Sequence, residues 1–156
     1  RDECRERLRG LGAGLVVGES DGDVVKDGRA GLDGKRPVLA SNAVGGESAL
    51  RLMDILAPGG SMVTYGAMSR KRIKVANGFL IFEGIKLEGL WVTQWLKNAP
   101  VSEIEAAYDR LARLMADGRL KQAVDTVYPL SDVRKAVEKA QEEFRSGKVV
   151  LSMGCA

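Results

Sequence analysis

An α/β architecture built on a parallel sheet is the fold class this sequence predicts, on three observations. Short apolar runs of strand character recur along it: GLVVG, RPVLASNAV, SMVTY and IKLEGLWV. Between them lie stretches whose apolar residues repeat at helical spacing, ESALRLMDIL the clearest. Gly- and Pro-rich punctuation, NAVGG and APGG, separates the two kinds. Strands that alternate with helices favour parallel pairing, because a parallel pair needs a long crossover between its members.

The elements follow in order. RDECRERLRGLGAG opens the chain as a charged helix that Gly12 and Gly14 end. Opening on Arg within a helical run, the sequence reads as the C-terminal part of a longer protein. Gly14–Gly18 reads as a short buried strand, and the polar stretch 19–35 as a loop with a frayed helix. A strand spans Arg36–Val44. Glu47–Leu56 is a helix with Ala49, Leu52, Met53 and Leu56 on one face. Ala57-Pro58-Gly59-Gly60 stops it. Ser61–Tyr65 is the next strand, Phe79–Phe82 a helical turn, and Ile85–Val92 a further strand. Val101–Ala116 is a helix carrying Ile104, Ala107, Tyr108, Leu111 and Leu114, with Ser102 and Glu105 spaced as a capping box. Ala123–Tyr128 is a strand. A helix then starts near Pro129, with Val133, Ala136, Val137 and Ala140 as its stripe, and Lys148–Ser152 closes the chain as a strand.

Composition narrows the function. The 156 residues are 45% apolar and 29% charged, which fits a folded domain with a real core. The net charge of +3 comes with no basic block longer than SRKRIK, so neither nucleic acid nor a membrane is an expected partner. No window approaches the roughly 18 apolar residues of a membrane span. The chain has no His and two cysteines, Cys4 and Cys155, at opposite ends. That excludes Ser-His-Asp and Cys-His chemistry, argues against a zinc site, and makes a reduced intracellular compartment the expectation.

Ligands of parallel sheets bind at the carboxyl ends of strands. Two tips qualify: Ser41–Gly46 and Tyr65–Ser69. By spacing alone, with no GxGxxG in the sequence, the glycines read as plain turns more readily than as close approaches for a ligand. Trp91 and Trp95 serve as packing, and Lys148 as a solvated lysine. The first glycine pair would also start a helix whose N-terminus favours anions.

The joint pattern resembles a known family. ASNAVGGESALRLMDILAPGGSMVTYGAMS, then FLIFEGIKLEGLWVTQW and FRSGKVVL, are similar to segments of the medium-chain dehydrogenase/reductase superfamily. Within it they are most similar to the mitochondrial trans-2-enoyl-thioester reductases, over nearly the whole chain. The resemblance implies the second half of a Rossmann-type domain at 1–118 and a C-terminal segment returning to the catalytic domain at 119–156. It implies NADPH as cofactor. Tyr65, Gly66, Ala67 and Met68 match the loop lining its nicotinamide end. Leu90, Trp91, Val92 and Thr93 match the segment that closes over it. Asn42, Val44 and Gly45 match the strand tip beside the ribose, and Lys148 the lysine reaching it from the tail.

Two departures stand out: Ala67 replaces a glycine of the family pattern, and Leu90 replaces a phenylalanine. The resemblance places the catalytic tyrosine and the glycine-rich phosphate loop upstream of Arg1, so this chain alone is expected to be inactive. It further implies a mitochondrial location, an enoyl thioester of acyl-carrier protein or coenzyme A as substrate, and a homodimer through edge strand 85–92. A zinc-free quinone oxidoreductase of the same superfamily, or a non-catalytic piece that only binds or dimerises, are the alternatives.

Overall fold

The structure is a computed structural model that describes residues 2–18, 22–142 and 145–154. Arg1, residues 19–21 of the polar loop, Phe144 of FRSGKVVL and Cys155 lie outside them. The α/β architecture is observed. The chain forms two compact units, Arg1–Asn98 and Ala99–Ala156.

The first unit holds α1 (Asp2–Gly10), α2 (Val24–Ala30), β1 (Leu39–Asn42), α3 (Gly46–Ile55), β2 (Ser61–Thr64), α4 (Asn77–Ile81), β3 (Lys86–Gly89) and α5 (Val92–Asn98). Its sheet runs β1-β2-β3 with both pairs parallel. The register is level: Asn42 stands beside Thr64, and Thr64 beside Gly89. The three carboxyl ends therefore finish in one row.

The core explains why α3 lies on this sheet. Ala49, Met53 and Leu56 from the predicted stripe are fully buried, together with Ala40 and Met62 of the strands and Ile85. Leu50, Leu52, Ile73, Val75 and Phe79 pack around them. Burying a side chain the size of Met53, Leu56 or Met62 stabilises by about 1.5–3 kcal/mol. At the foot of the unit, Arg36 donates to the Asp54 and Ile55 carbonyls and pairs with Glu83 at 3.3 Å, tying α3's last turn to the segment before β3.

The second unit holds α6 (Val101–Ala116), β4 (Val124–Pro129), a 3-10 turn (Leu130–Asp132), α7 (Val133–Gln141) and β5 (Lys148–Ser152). β4 and β5 pair in parallel, and α7 contacts both. Of α7's predicted stripe only Ala136 is buried; Val133, Val137 and Ala140 are exposed. α6 belongs to this unit by its contacts.

Three expectations are corrected. Gly14–Gly18 forms no strand. Backbone there needs a neighbouring strand to pair with, and instead Leu15 packs on the end of α2, where a Cβ at Gly31 would lie 2.8 Å from its Cδ1. The strand predicted at Ile85–Val92 is only Lys86–Gly89, with Val92 already in α5. Its pairing ends because β2 ends: the Leu90 N–H takes the Thr64 carbonyl at 2.9 Å, and Trp91 then turns the chain, its carbonyl accepting from Gln94 and Trp95. Ser102 does not cap α6. The cap falls two residues earlier, at Pro100, which is extended (φ −56, ψ 143) and whose carbonyl already accepts the N–H groups of Glu103 and Ile104.

Candidate functional site

The level strand ends set the first unit's candidate site. Asn42, the last residue of β1, is 1% exposed. Its Oδ1 accepts the backbone N–H of Val44 (3.2 Å) and of Gly45 (2.9 Å), and its Nδ2 donates to Thr64 Oγ1 (3.1 Å). One side chain thus folds the β1 tip back on itself and ties it to the β2 tip. Asn suits the task because it offers an acceptor and a donor from a single short amide.

The second tip lies against the first. The Asn42, Ala43 and Val44 carbonyls accept from the N–H groups of Tyr65 (3.0 Å), Met68 (3.1 Å) and Ser69 (3.0 Å). Ser69 Oγ also donates to the Val44 carbonyl at 2.7 Å and accepts from Lys71 N–H at 3.2 Å. Gly66 passes so near that a Cβ would sit 2.7 Å from the Ala43 carbonyl oxygen. Only glycine permits that approach.

The glycine pair has a use that spacing did not disclose. Gly45 and Gly46 have φ of +79 and +56. A Cβ at Gly45 would meet the Lys71 carbonyl at 3.3 Å, and one at Gly46 would meet Lys71 Cβ at 3.0 Å and Ser69 Oγ at 3.3 Å. The room these glycines leave at the start of α3 is taken by the chain's own Ser69–Lys71.

The site therefore opens on the second and third tips. The Gly66 and Ala67 N–H groups make no hydrogen bond among the described residues. Around them the exposed apolar side chains are Tyr65 (58%), Met68 (79%), Leu90, Trp91 (67%) and Val92. Thr93 is exposed in the first turn of α5. Two adjacent backbone donors framed by apolar and aromatic groups suit a flat ligand with a polar edge. Arg70, Lys71 and Arg72 are exposed beside this tip, and Arg70 holds a left-handed φ of +55 with its N–H on the Ala67 carbonyl.

The structure gathers Asn42, Val44, Gly45, Tyr65–Met68 and Leu90–Thr93 at one end of one sheet. Lys148 lies in the second unit, exposed at the start of β5. Thr64 and Ser69 were missed. Thr64 could have been found from Asn42, since each ends its strand just before a glycine-containing tip. Ser69 had no local signal beyond ending the YGAMS run.

Comparison with known proteins adds to this geometry. Residues 11–151 match a family model described as zinc-binding dehydrogenase. The chain is similar to the mitochondrial enoyl-[acyl-carrier-protein] reductase of Mus musculus, with 36% identity over 95% of this chain and 40% of the relative. It is similar to that of Arabidopsis thaliana, with 40% identity over 89% and 37%. It spans about two-fifths of these relatives' length. Among solved structures it resembles a 2-haloacrylate reductase (TM-score 0.85, 20% identity, 99% of this chain and 48% of that one), a likeness of fold alone. It also resembles a quinone oxidoreductase of Pseudomonas syringae pv. Tomato DC3000 (TM-score 0.77, 25% identity, 97% and 46%). The residues do not fit the zinc in the family's description. The sequence has no His, and among the described residues no group of three or more Cys, Asp or Glu could hold a metal.

Proposed function

The chain belongs to the zinc-binding dehydrogenase family, and from that membership we propose that it forms the nicotinamide side of an NADPH-dependent reductase. The proposed substrates are trans-2-enoyl thioesters of acyl-carrier protein or coenzyme A, reduced to saturated acyl thioesters. The relatives named as mitochondrial enoyl-[acyl-carrier-protein] reductases support the substrate class, a role in fatty acid synthesis and a mitochondrial location. The observation that carries the reading is the unbonded Gly66–Ala67 donor pair at the level strand ends.

Bound there, NADPH would supply a hydride for the thioester's β-carbon, with a proton added at the α-carbon to complete the reduction. The chain's own residues hold and shield. The Gly66 and Ala67 N–H groups fit the carboxamide edge. Tyr65, Met68 and Trp91 supply apolar walls that exclude water from the ring. Asn42, Thr64 and Ser69 fix the tip backbone. The edge strand β3, whose four residues are all exposed, is the proposed homodimer contact.

The likeness to a quinone oxidoreductase favours one second reading, reduction of a quinone by the same site. NADPH consumption measured against crotonyl-coenzyme A, a longer enoyl thioester and a quinone separates the two. Turnover of enoyl thioesters, lowered by Trp91→Ala, is expected. Turnover of the quinone alone favours the second reading, and no NADPH binding by the intact protein refutes both.

A further inference from the structure

Between Asp54 and Glu83 the chain carries no acidic residue, and its four basic ones, Arg70, Lys71, Arg72 and Lys74, stand together. All four are exposed, and none makes an ion pair among the described residues. Glu47, beside Gly46 in the first turn of α3, forms no ion pair with them.

The backbone beneath these cations is held. The Lys71 N–H donates to Ser69 Oγ at 3.2 Å, and the Lys71 carbonyl lies against Gly45. Residues 71–76 form no helix or strand, yet their burial alternates. Ile73 and Val75 are half-buried against the core, and Arg72, Lys74 and Ala76 are exposed. A period of two is that of extended backbone. Arg72 and Lys74 therefore leave on the same side, about 6–7 Å apart at about 3.3 Å per residue.

That spacing selects among anions. On a helix, residues three or four apart stand about 5–6 Å from one another, so carboxylates at such positions match the two cations. A guanidinium also takes a carboxylate through two parallel N–H groups. Nucleic acid is matched less well: residues 70–76 hold no aromatic side chain for bases to stack on, and four cations neutralise few phosphates. A membrane surface is matched less well too, because Ile73 and Val75 face the core and offer nothing to insert.

We infer that Arg70–Lys74 is a docking strip for an acidic protein, one that lays a helix with carboxylates on one face along Arg72 and Lys74. The strip adjoins the second tip, so the partner lies next to the Gly66–Ala67 backbone. The inference concerns the first unit alone and goes beyond the proposed reaction without depending on it.

The test uses the full chain and a synthetic helical peptide with glutamates at every fourth position along one face. Fluorescence anisotropy is expected to show binding that weakens as salt rises. Arg72→Gln with Lys74→Gln removes two exposed charge pairs, and the Kd is expected to rise about threefold to thirtyfold. Lys35→Gln with Lys86→Gln removes the same charge from exposed positions before β1 and at the start of β3, away from the strand tips, and is expected to leave the Kd within about twofold. A peptide of the same composition with its glutamates spread around the helix is expected to bind more weakly. Absence of salt-dependent binding, an equal loss in the Lys35 and Lys86 variant, or equal binding of the two peptides overturns the strip. So does tighter binding of phosphatidylserine vesicles or of a single-stranded oligonucleotide through the same two residues. Equilibrium titration of the Arg72→Gln, Lys74→Gln variant with NADPH is expected to return the wild-type Kd. An equal loss there assigns the cations to the cofactor's phosphates and overturns a protein partner.

Discussion

Asn42→Ala gives the sharpest test of how the two strand tips are built. The substitution removes the acceptor of two backbone N–H groups and the donor to Thr64. Gly45 is buried, so its N–H gains no water in exchange; Val44 is half-buried and its N–H is partly rescued. A neutral hydrogen bond contributes about 1 kcal/mol net, and a buried donor left unpaired costs about 1–3 kcal/mol. One full penalty and two ordinary losses make a destabilisation of about 3–5 kcal/mol. Thr64→Val keeps the shape and removes one bond, for about 1–2 kcal/mol. In the double variant the Thr64 bond is already gone, so the two losses fall short of additivity by about 1 kcal/mol. Urea denaturation with an unchanged m-value reads all three. A loss below about 1 kcal/mol for Asn42→Ala, or losses that add within about 0.5 kcal/mol, refutes the role assigned to this side chain.

Three further outcomes are expected. Gly66→Ala places its Cβ 2.7 Å from the Ala43 carbonyl oxygen and 3.3 Å from Ala43 Cα, all backbone, so it costs about 1–3 kcal/mol in denaturation and weakens NADPH binding in the same titration. Ser69→Ala frees the Val44 carbonyl and the Lys71 N–H from its hydroxyl, and trypsin then cuts faster at Arg70–Arg72 while global stability falls by only about 1–2 kcal/mol. The third concerns acid. The Ser146 hydroxyl foremost, then the Thr126 hydroxyl and the Ser146 N–H, hold the Asp125 carboxyl below its ordinary 3.8, with Lys139 adding to them. A carboxyl lowered by folding stabilises fully above its unfolded pKa, and that contribution is lost as pH falls through the folded value. The second unit therefore loses stability as pH drops below about 4. That loss is absent from the same titration of Asp125→Asn.

What the sequence disclosed was what local chemistry decides. The Ala49-Leu52-Met53-Leu56 stripe identified α3, and Val101–Ala116 and Lys148–Ser152 were read to their observed ends because periodicity and punctuation are both local. Gly14–Gly18 and Ile85–Val92 went astray for one shared reason. Apolar β-branched runs become strands only as far as a neighbour supplies a ladder, and Thr64 supplies its last carbonyl to Leu90. The α5 helix was hidden because LWVTQW continues the composition of the strand before it.

The site divides along the same line. That ligands approach strand tips follows from the fold class, so Ser41–Gly46 and Tyr65–Ser69 were legible as a neighbourhood, whereas Leu90–Thr93 entered only through the family resemblance. That Asn42 meets Thr64, or Ser69 meets Val44 across 25 residues, depends on register, which no short stretch encodes. The glycine pair shows what this does to a functional reading. Small residues at a helix start suggest room for a ligand, yet at Gly45 and Gly46 the chain fills that room with Ser69–Lys71. A side chain at either glycine would push the second tip away from the first. Its effect on a ligand would then travel through the Gly66–Ala67 backbone, whose donors depend on that packing for their place. The glycines of the first tip therefore make room for the second tip, and Gly66 is where the second tip passes closest to the first.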